Sequence, residues 1–115
     1  MYQFSYADVQ TDSIADARDR ERQLLDRSIA LLVAARGKGA LSRETIEAIL
    51  FMNRVWTALI EDLGHPDNQL PRELRANLIS IGLWLLREGE AIRQGQSKNI
   101  DGLIDVTQII RDGIK

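Results

Sequence analysis

Asn77-Leu78-Ile79-Ser80-Ile81-Gly82-Leu83-Trp84-Leu85-Leu86-Arg87-Glu88-Gly89-Glu90-Ala91-Ile92-Arg93-Gln94-Gly95 is the stretch around which the rest of the chain is organised. Its apolar run falls short of the roughly 18 residues that a membrane helix needs. It is also too apolar for a helix bathed in water. At about 100° per residue, Leu78, Ile81, Leu85 and Ile92 share one face, and Gly82 and Gly89 lie in the middle of that face. A glycine inside a helix costs about 1 kcal/mol relative to alanine. Two of them on the buried stripe indicate that another helix backbone of the same bundle comes close there. Ser80 and Arg87 mark the outward side, so Leu83 and Trp84, which flank it, are expected to stay partly exposed.

On the N-terminal side, Gly64-His65-Pro66-Asp67-Asn68 has the composition of a turn. Pro71 suits the first position of a helix that runs over about 71–94 and is capped by Gly95. Before the turn, Ser42 is a good N-cap and Glu44 sits in the first turn of a second helix over 43–63, closed by Gly64. Ile46, Ile49, Leu50, Met52, Val55, Trp56, Leu59, Ile60 and Leu63 make that helix apolar almost all round. Phe51 lies away from the centre of its apolar arc. Asn53 and Thr57 lie at the arc's edge and would need partners if buried.

Gly37-Lys38-Gly39 breaks the chain before that helix and ends another over about 13–36. Its stripe is Ile14, Ala17, Leu24, Leu25, Ser28, Ile29, Leu32 and Ala35, and Ser13 with Asp16 resembles a capping box. Asp-Ala-Arg-Asp-Arg-Glu-Arg at 16–22 alternates in sign, as a solvated face does, with pairs such as Asp16–Arg20. Residues 1–12 read as an extended arm, because Tyr2, Phe4 and Tyr6 alternate with Gln3 and Ser5. On the C-terminal side, Ser97 or Asn99 caps a fourth helix over 99–112. Ile100, Leu103, Ile104, Thr107 and Ile110 share its face, and Ile109 points the other way. Short connections favour antiparallel neighbours. The expected fold is all-α: a compact four-helix bundle with an extended N-terminal arm, in one domain over 1–115.

Composition agrees. A chain of 115 residues fits one domain, and 44% hydrophobic residues suffice for a core. The start, Met-Tyr-Gln-Phe-Ser-Tyr-Ala-Asp, has neither the basic end nor the apolar run of a signal peptide, which points to the cytoplasm. Without cysteine there is no disulfide, thiol nucleophile or thiolate metal site in this chain. The net charge of −2 and the interspersed signs argue against a general nucleic-acid binder. Arg18, Arg20 and Arg22 are the only feature that leans towards RNA, and Asp16, Asp19 and Glu21 interrupt them.

Chemistry is missing from the pattern. There is no phosphate loop, no nucleophile elbow and no paired histidine for a metal. His65 is the single histidine and reads as a loop residue. Glu88 and Glu90 are two apart on a helix and point to different sides, as surface or ion-paired groups. No enzymatic activity, cofactor or metal is expected.

Several stretches carry a family likeness. They are Met1-Tyr2-Gln3-Phe4-Ser5-Tyr6-Ala7-Asp8-Val9, Val55-Trp56-Thr57-Ala58-Leu59-Ile60-Glu61-Asp62-Leu63, Leu70-Pro71-Arg72-Glu73-Leu74-Arg75-Ala76, Leu78 to Glu88 with Ile92-Arg93-Gln94-Gly95, and Ile109-Ile110-Arg111-Asp112-Gly113. Together they resemble the bacterial FlaF family over essentially the whole chain. The resemblance implies a flagellar biosynthesis regulator of the alphaproteobacterial type. Such a protein binds newly made flagellin in the cytoplasm as a chaperone and works opposite FlbT, a post-transcriptional repressor of flagellin synthesis. The alternative is a regulator that acts on flagellin mRNA directly or through FlbT.

A chaperone of this kind needs an apolar surface for flagellin's terminal helical segments. The apolar residues at the edges of otherwise full stripes are the candidates: Phe51, Leu83 and Trp84, with Ile109 beside them. Arg87 is placed to pair with a carboxylate of the partner. Tyr2, Phe4 and Tyr6 are candidates to cover the surface when flagellin is absent.

Overall fold

The structure is a computed structural model that describes residues 6–114, with side-chain surroundings from residue 15 onward. Four helices make up the described chain: α1 (Tyr6–Ala35), α2 (Arg43–Leu63), α3 (Arg72–Arg93) and α4 (Ile100–Asp112). The all-α four-helix expectation holds. The N-terminal arm needs one correction: the chain is already helical at Tyr6, so residues 6–12 belong to α1 and are not extended. No Gly or Pro occurs between Met1 and Arg36 to stop a helix. Three alternating aromatics were too short a pattern to outweigh that continuity. At about 1.5 Å per residue α1 is roughly 45 Å long. That length accounts for the elongated extents of 55 × 32 × 19 Å.

The other boundaries follow their caps. Ser42 Oγ accepts the Thr45 N–H at 3.1 Å and donates to the Gly39 carbonyl at 2.9 Å. Asn99 Oδ1 accepts the Gly102 N–H at 3.0 Å. Pro71 occupies the N-cap of α3, and its carbonyl accepts the Arg75 N–H. At the far end Gly95 adopts φ +77°. The Gln96 N–H bonds to the Ala91 carbonyl at 2.8 Å and the Gly95 N–H to the Ile92 carbonyl at 3.0 Å. This is a Schellman ending, and its left-handed position needs glycine.

Packing order is α3–α2–α1–α4. α2 lies between α3 and α1, and α4 lies on the other side of α1, while α3 and α4 meet only slightly. Neighbours run antiparallel. Two ion pairs set α4 on α1: Arg36 Nε to Asp101 Oδ1 at 2.8 Å, and Arg111 Nε to Asp26 Oδ1 at 2.6 Å. Arg36 just past α1 and Asp26 within it are ten apart, as are Asp101 and Arg111 in α4, so the two bridges agree on one register. Sequence reasoning gave no sign of either.

The core contains Leu25, Leu32, Ala35, Ala48, Ile49, Met52, Val55, Trp56, Leu85, Ile92, Ile100, Leu103 and Ile104. Gly82 and Gly89 are buried against α2, as their place on the stripe predicts. The fill is different from the expected backbone approach, because side chains occupy the notches. A Cβ on Gly82 would stand 2.7 Å from Trp56 Cε3 and 3.0 Å from Ile60 Cδ1, and one on Gly89 would stand 2.7 Å from Met52 Cε. Thr107 is buried and donates to the Leu103 carbonyl at 2.7 Å. Of the two α2 residues expected to need partners, Thr57 is exposed, while Asn53 Oδ1 is buried without one.

Candidate apolar cleft

The helices are sealed at one end and open at the other. α3 leans on α2 through Gly82, and α4 lies along α1, so the two diverge away from the turn that links them. The gap forms a cleft of about 470 Å³. Leu25 of α1 and Trp56, Leu59 and Leu63 of α2 line its inner side. Leu74 and Leu78 of α3 and Ile110 of α4, with Ile114 just beyond it, form the facing walls, and Leu70 closes one edge. Lengths explain the opening. α3 has 22 residues and α4 has 13, so α4 falls about 13 Å short of its neighbour.

Arg18, Glu21, Asp62 and Asn68 are the charged and polar members of the lining. Asn68 Nδ2 donates to the Asp62 backbone carbonyl at 3.1 Å and to Asp62 Oδ2 at 3.3 Å, which ties the turn after α2 to the rim. Burial pushes the Glu21 carboxyl above the usual carboxylate range, and the Asp62 charge pushes it the same way. Arg18 and Arg20 offset part of that rise. A second, shallower depression between α1 and α2 is lined by Leu24, Phe51, Arg54, Val55 and Ala58, and shares Glu21, Leu59 and Asp62 with the cleft. The two form one trough with the carboxylates at its middle.

The sequence-derived candidates do not converge on this site. Leu83 and Trp84 are both 38% exposed, as expected, but neither they nor Arg87 lines the trough. Phe51 does line its shallow part, half-buried, with the Arg27 guanidinium 5.6 Å from its ring centroid. Ile109 is 69% exposed at the cleft edge. Tyr2 and Phe4 lie outside the described residues, and so does the side chain of Tyr6, the first residue of α1. Reasoning from the sequence missed Leu70 and Leu74. A signal was available: Leu70, Leu74, Leu78 and Ile81 recur at helical spacing and carry the α3 stripe past the reach of so short a fourth helix.

His65, Glu88, Glu90 and Asp19 find local partners. His65 stays in the turn, where its Nδ1 accepts the Asp67 N–H at 3.1 Å. Glu88 accepts the Ser97 hydroxyl and Glu90 pairs with Arg93 at 2.9 Å, on different sides of α3. In the sign-alternating segment Asp19 pairs with Arg22 at 3.5 Å and takes a bond from Gln23, in place of the expected Asp16–Arg20 pair. Among the described residues no helix is long and apolar enough to cross a membrane.

Neither the curated proteins nor the solved structures contain a match to this chain. A family model does match: that of the flagellar protein FlaF, over residues 2–114. That span is nearly the whole sequence, and the chain belongs to the FlaF family.

Proposed function

We propose that this flagellar protein binds newly made flagellin in the cytoplasm as a secretion chaperone, and so couples flagellin synthesis to export. The open apolar cleft between α3 and α4 carries this reading. Leu70 and Leu74 remain 40% and 43% exposed on its lip although the fold has a core to bury them in. An amphipathic helix laid into an apolar groove is an established mode of peptide capture. The terminal helical segments of unassembled flagellin have that character. A chaperone also needs no catalytic group, and most of the site is built from leucine, isoleucine and tryptophan.

The test is calorimetric titration of the protein with its own flagellin monomer, beside a titration with the flagellin leader RNA. Flagellin binding with a negative heat-capacity change is the expected result. RNA binding without flagellin binding overturns the reading and favours a regulator that acts on the messenger. Leu74→Asp should remove flagellin binding, while Trp84→Ala should keep it. The opposite pattern moves the site to the outer face of α3 around Leu83, Trp84 and Arg87.

A further inference from the structure

We propose that the trough recognises a helical partner segment whose apolar face carries one lysine or arginine, and that this cation sits between Glu21 and Asp62. The proposal rests on the reading above for the site, and adds what the occupant must carry. Three observations support it. First, the lining on both sides of the carboxylates is mostly apolar, with Leu63, Leu74, Leu78 and Ile110 beside Arg18 and Asn68 on one side, and Leu24, Phe51 and Val55 beside Arg54 on the other. Second, Glu21 and Asp62 line both parts, so a segment that covers the trough has to cross them. Third, among the described residues neither carboxylate has a cation within ion-pair distance, although Arg18 and Arg20 of α1 stand near Glu21 and Arg54 lines the shallow end.

The electrostatics set the sign of selection. A purely apolar helix over this trough would strip water from two neighbouring carboxylates and leave them facing each other, which is unfavourable. Burial already disfavours the charged form of Glu21 in the free protein. An acidic occupant makes this worse. A cation at the centre of the apolar face offsets the lost hydration and the repulsion together, and forms charge-assisted hydrogen bonds. The trough therefore rejects helices that are merely greasy, which is specificity by an unpaired charge. Along α2 the trough spans Phe51 to Leu63, about 18 Å, or three to four turns of an occupying helix.

Two helix-stapled peptides of about four turns test this without assuming that flagellin is the partner. Both carry leucines at i, i+3, i+7 and i+10. One has lysine and the other glutamate at the central position of that face. The intact protein should bind the lysine peptide at least about tenfold more tightly, a difference of about 1.4 kcal/mol. The Glu21→Gln, Asp62→Asn double variant should lose the preference while keeping its helical circular dichroism and its melting temperature within a few degrees. The preference should also shrink as the pH falls through the raised Glu21 titration. Equal binding of the two peptides, binding of neither, or an unchanged preference in the double variant overturns the proposal. So does a dimer in sedimentation that Leu74→Asp abolishes, because the occupant is then a second copy of the chain. A lysine preference without flagellin binding upholds the trough and removes flagellin as its partner. Flagellin binding that the double variant leaves unchanged does the reverse.

Discussion

The two ends of the bundle use the same four helices and come out differently. At the sealed end, the α1–α2 loop and the α3–α4 turn bring Leu32, Ala35, Ile49, Met52, Ile92, Ile100 and Leu103 into one buried group. At the open end, Leu25, Trp56 and Leu63 are buried as a floor, and Leu70, Leu74 and Ile109 stay largely open to solvent at the rim. The apolar supply is similar at both ends. The difference lies in which helices face each other: one end has all four converging, and the other has α3 and α4 on opposite walls. An apolar residue is therefore buried or left partly open to solvent according to the end that holds it.

Substitutions should separate the ends by size of effect. Leu32→Ala at the sealed end should cost about 2–5 kcal/mol in urea unfolding, the range for a buried leucine that leaves a cavity. Leu74→Ala at the open end should cost no more than about 0.5 kcal/mol, as an exposed position does. Equal losses would erase the distinction between the two ends. The glycine notches give the next contrast. Gly82→Ala drives a methyl into the Trp56 ring and should destabilise by about 1–2 kcal/mol, after a gain in helix propensity. Gly89→Ala meets only the terminal methyl of Met52, which can swing away, so thermal melting should place it within about 0.5 kcal/mol of the parent.

Ser42→Ala removes a cap at the sealed end and should cost about 1 kcal/mol in thermal or urea unfolding. The smallest effects are electrostatic. Glu21 titrates above its unfolded value, so the folded state holds that proton more tightly. The associated stability is present below the unfolded pKa and is lost as pH rises through the folded one. Glu21→Gln should therefore raise the neutral-pH melting temperature slightly, and the gain should vanish in acid. Asp26 has the opposite sign, because the hydrogen bond from Arg111 holds its carboxyl below the usual range. That contribution is present above the unfolded pKa and fades as pH falls. Asp26→Asn should give a small loss of melting temperature at neutral pH that disappears on acidification.

Much of this fold was legible in the sequence because helix boundaries are written locally. Ser42 and Asn99 mark starts through side-chain caps, Pro71 through its fixed φ and Gly95 through its left-handed backbone, while Gly64 ends α2 with an ordinary right-handed φ of −83°. The start of α1 at Tyr6 is not legible locally, because only the absence of Gly and Pro marks it, while Tyr2, Phe4 and Tyr6 alternate as a strand would. The site was less legible. Periodicity tells which face of a helix is apolar, and Leu78 was assigned to such a face correctly. It does not tell whether another helix reaches far enough to cover that face. Phe51, Leu83 and Trp84 are apolar residues at stripe edges. The cleft is instead made by residues at stripe centres, Leu74, Leu78 and Ile110, left open because α4 is short. Glu21 and Asp62 are 41 positions apart, and only packing of α1 on α2 brings them together.

The α3–α4 turn is also a fulcrum. Gly95 holds its left-handed conformation at the sealed end, with Ser97 bonded back to Glu88, while Leu74 stands about 31 Å down α3. A rotation of about 5° at that turn moves Leu74 by roughly 3 Å, close to two rises of the helix. Such a rotation would change the width of the cleft from a point outside its lining. A side chain at position 95 that disfavoured the left-handed backbone would alter the aperture before it altered any wall of the cleft.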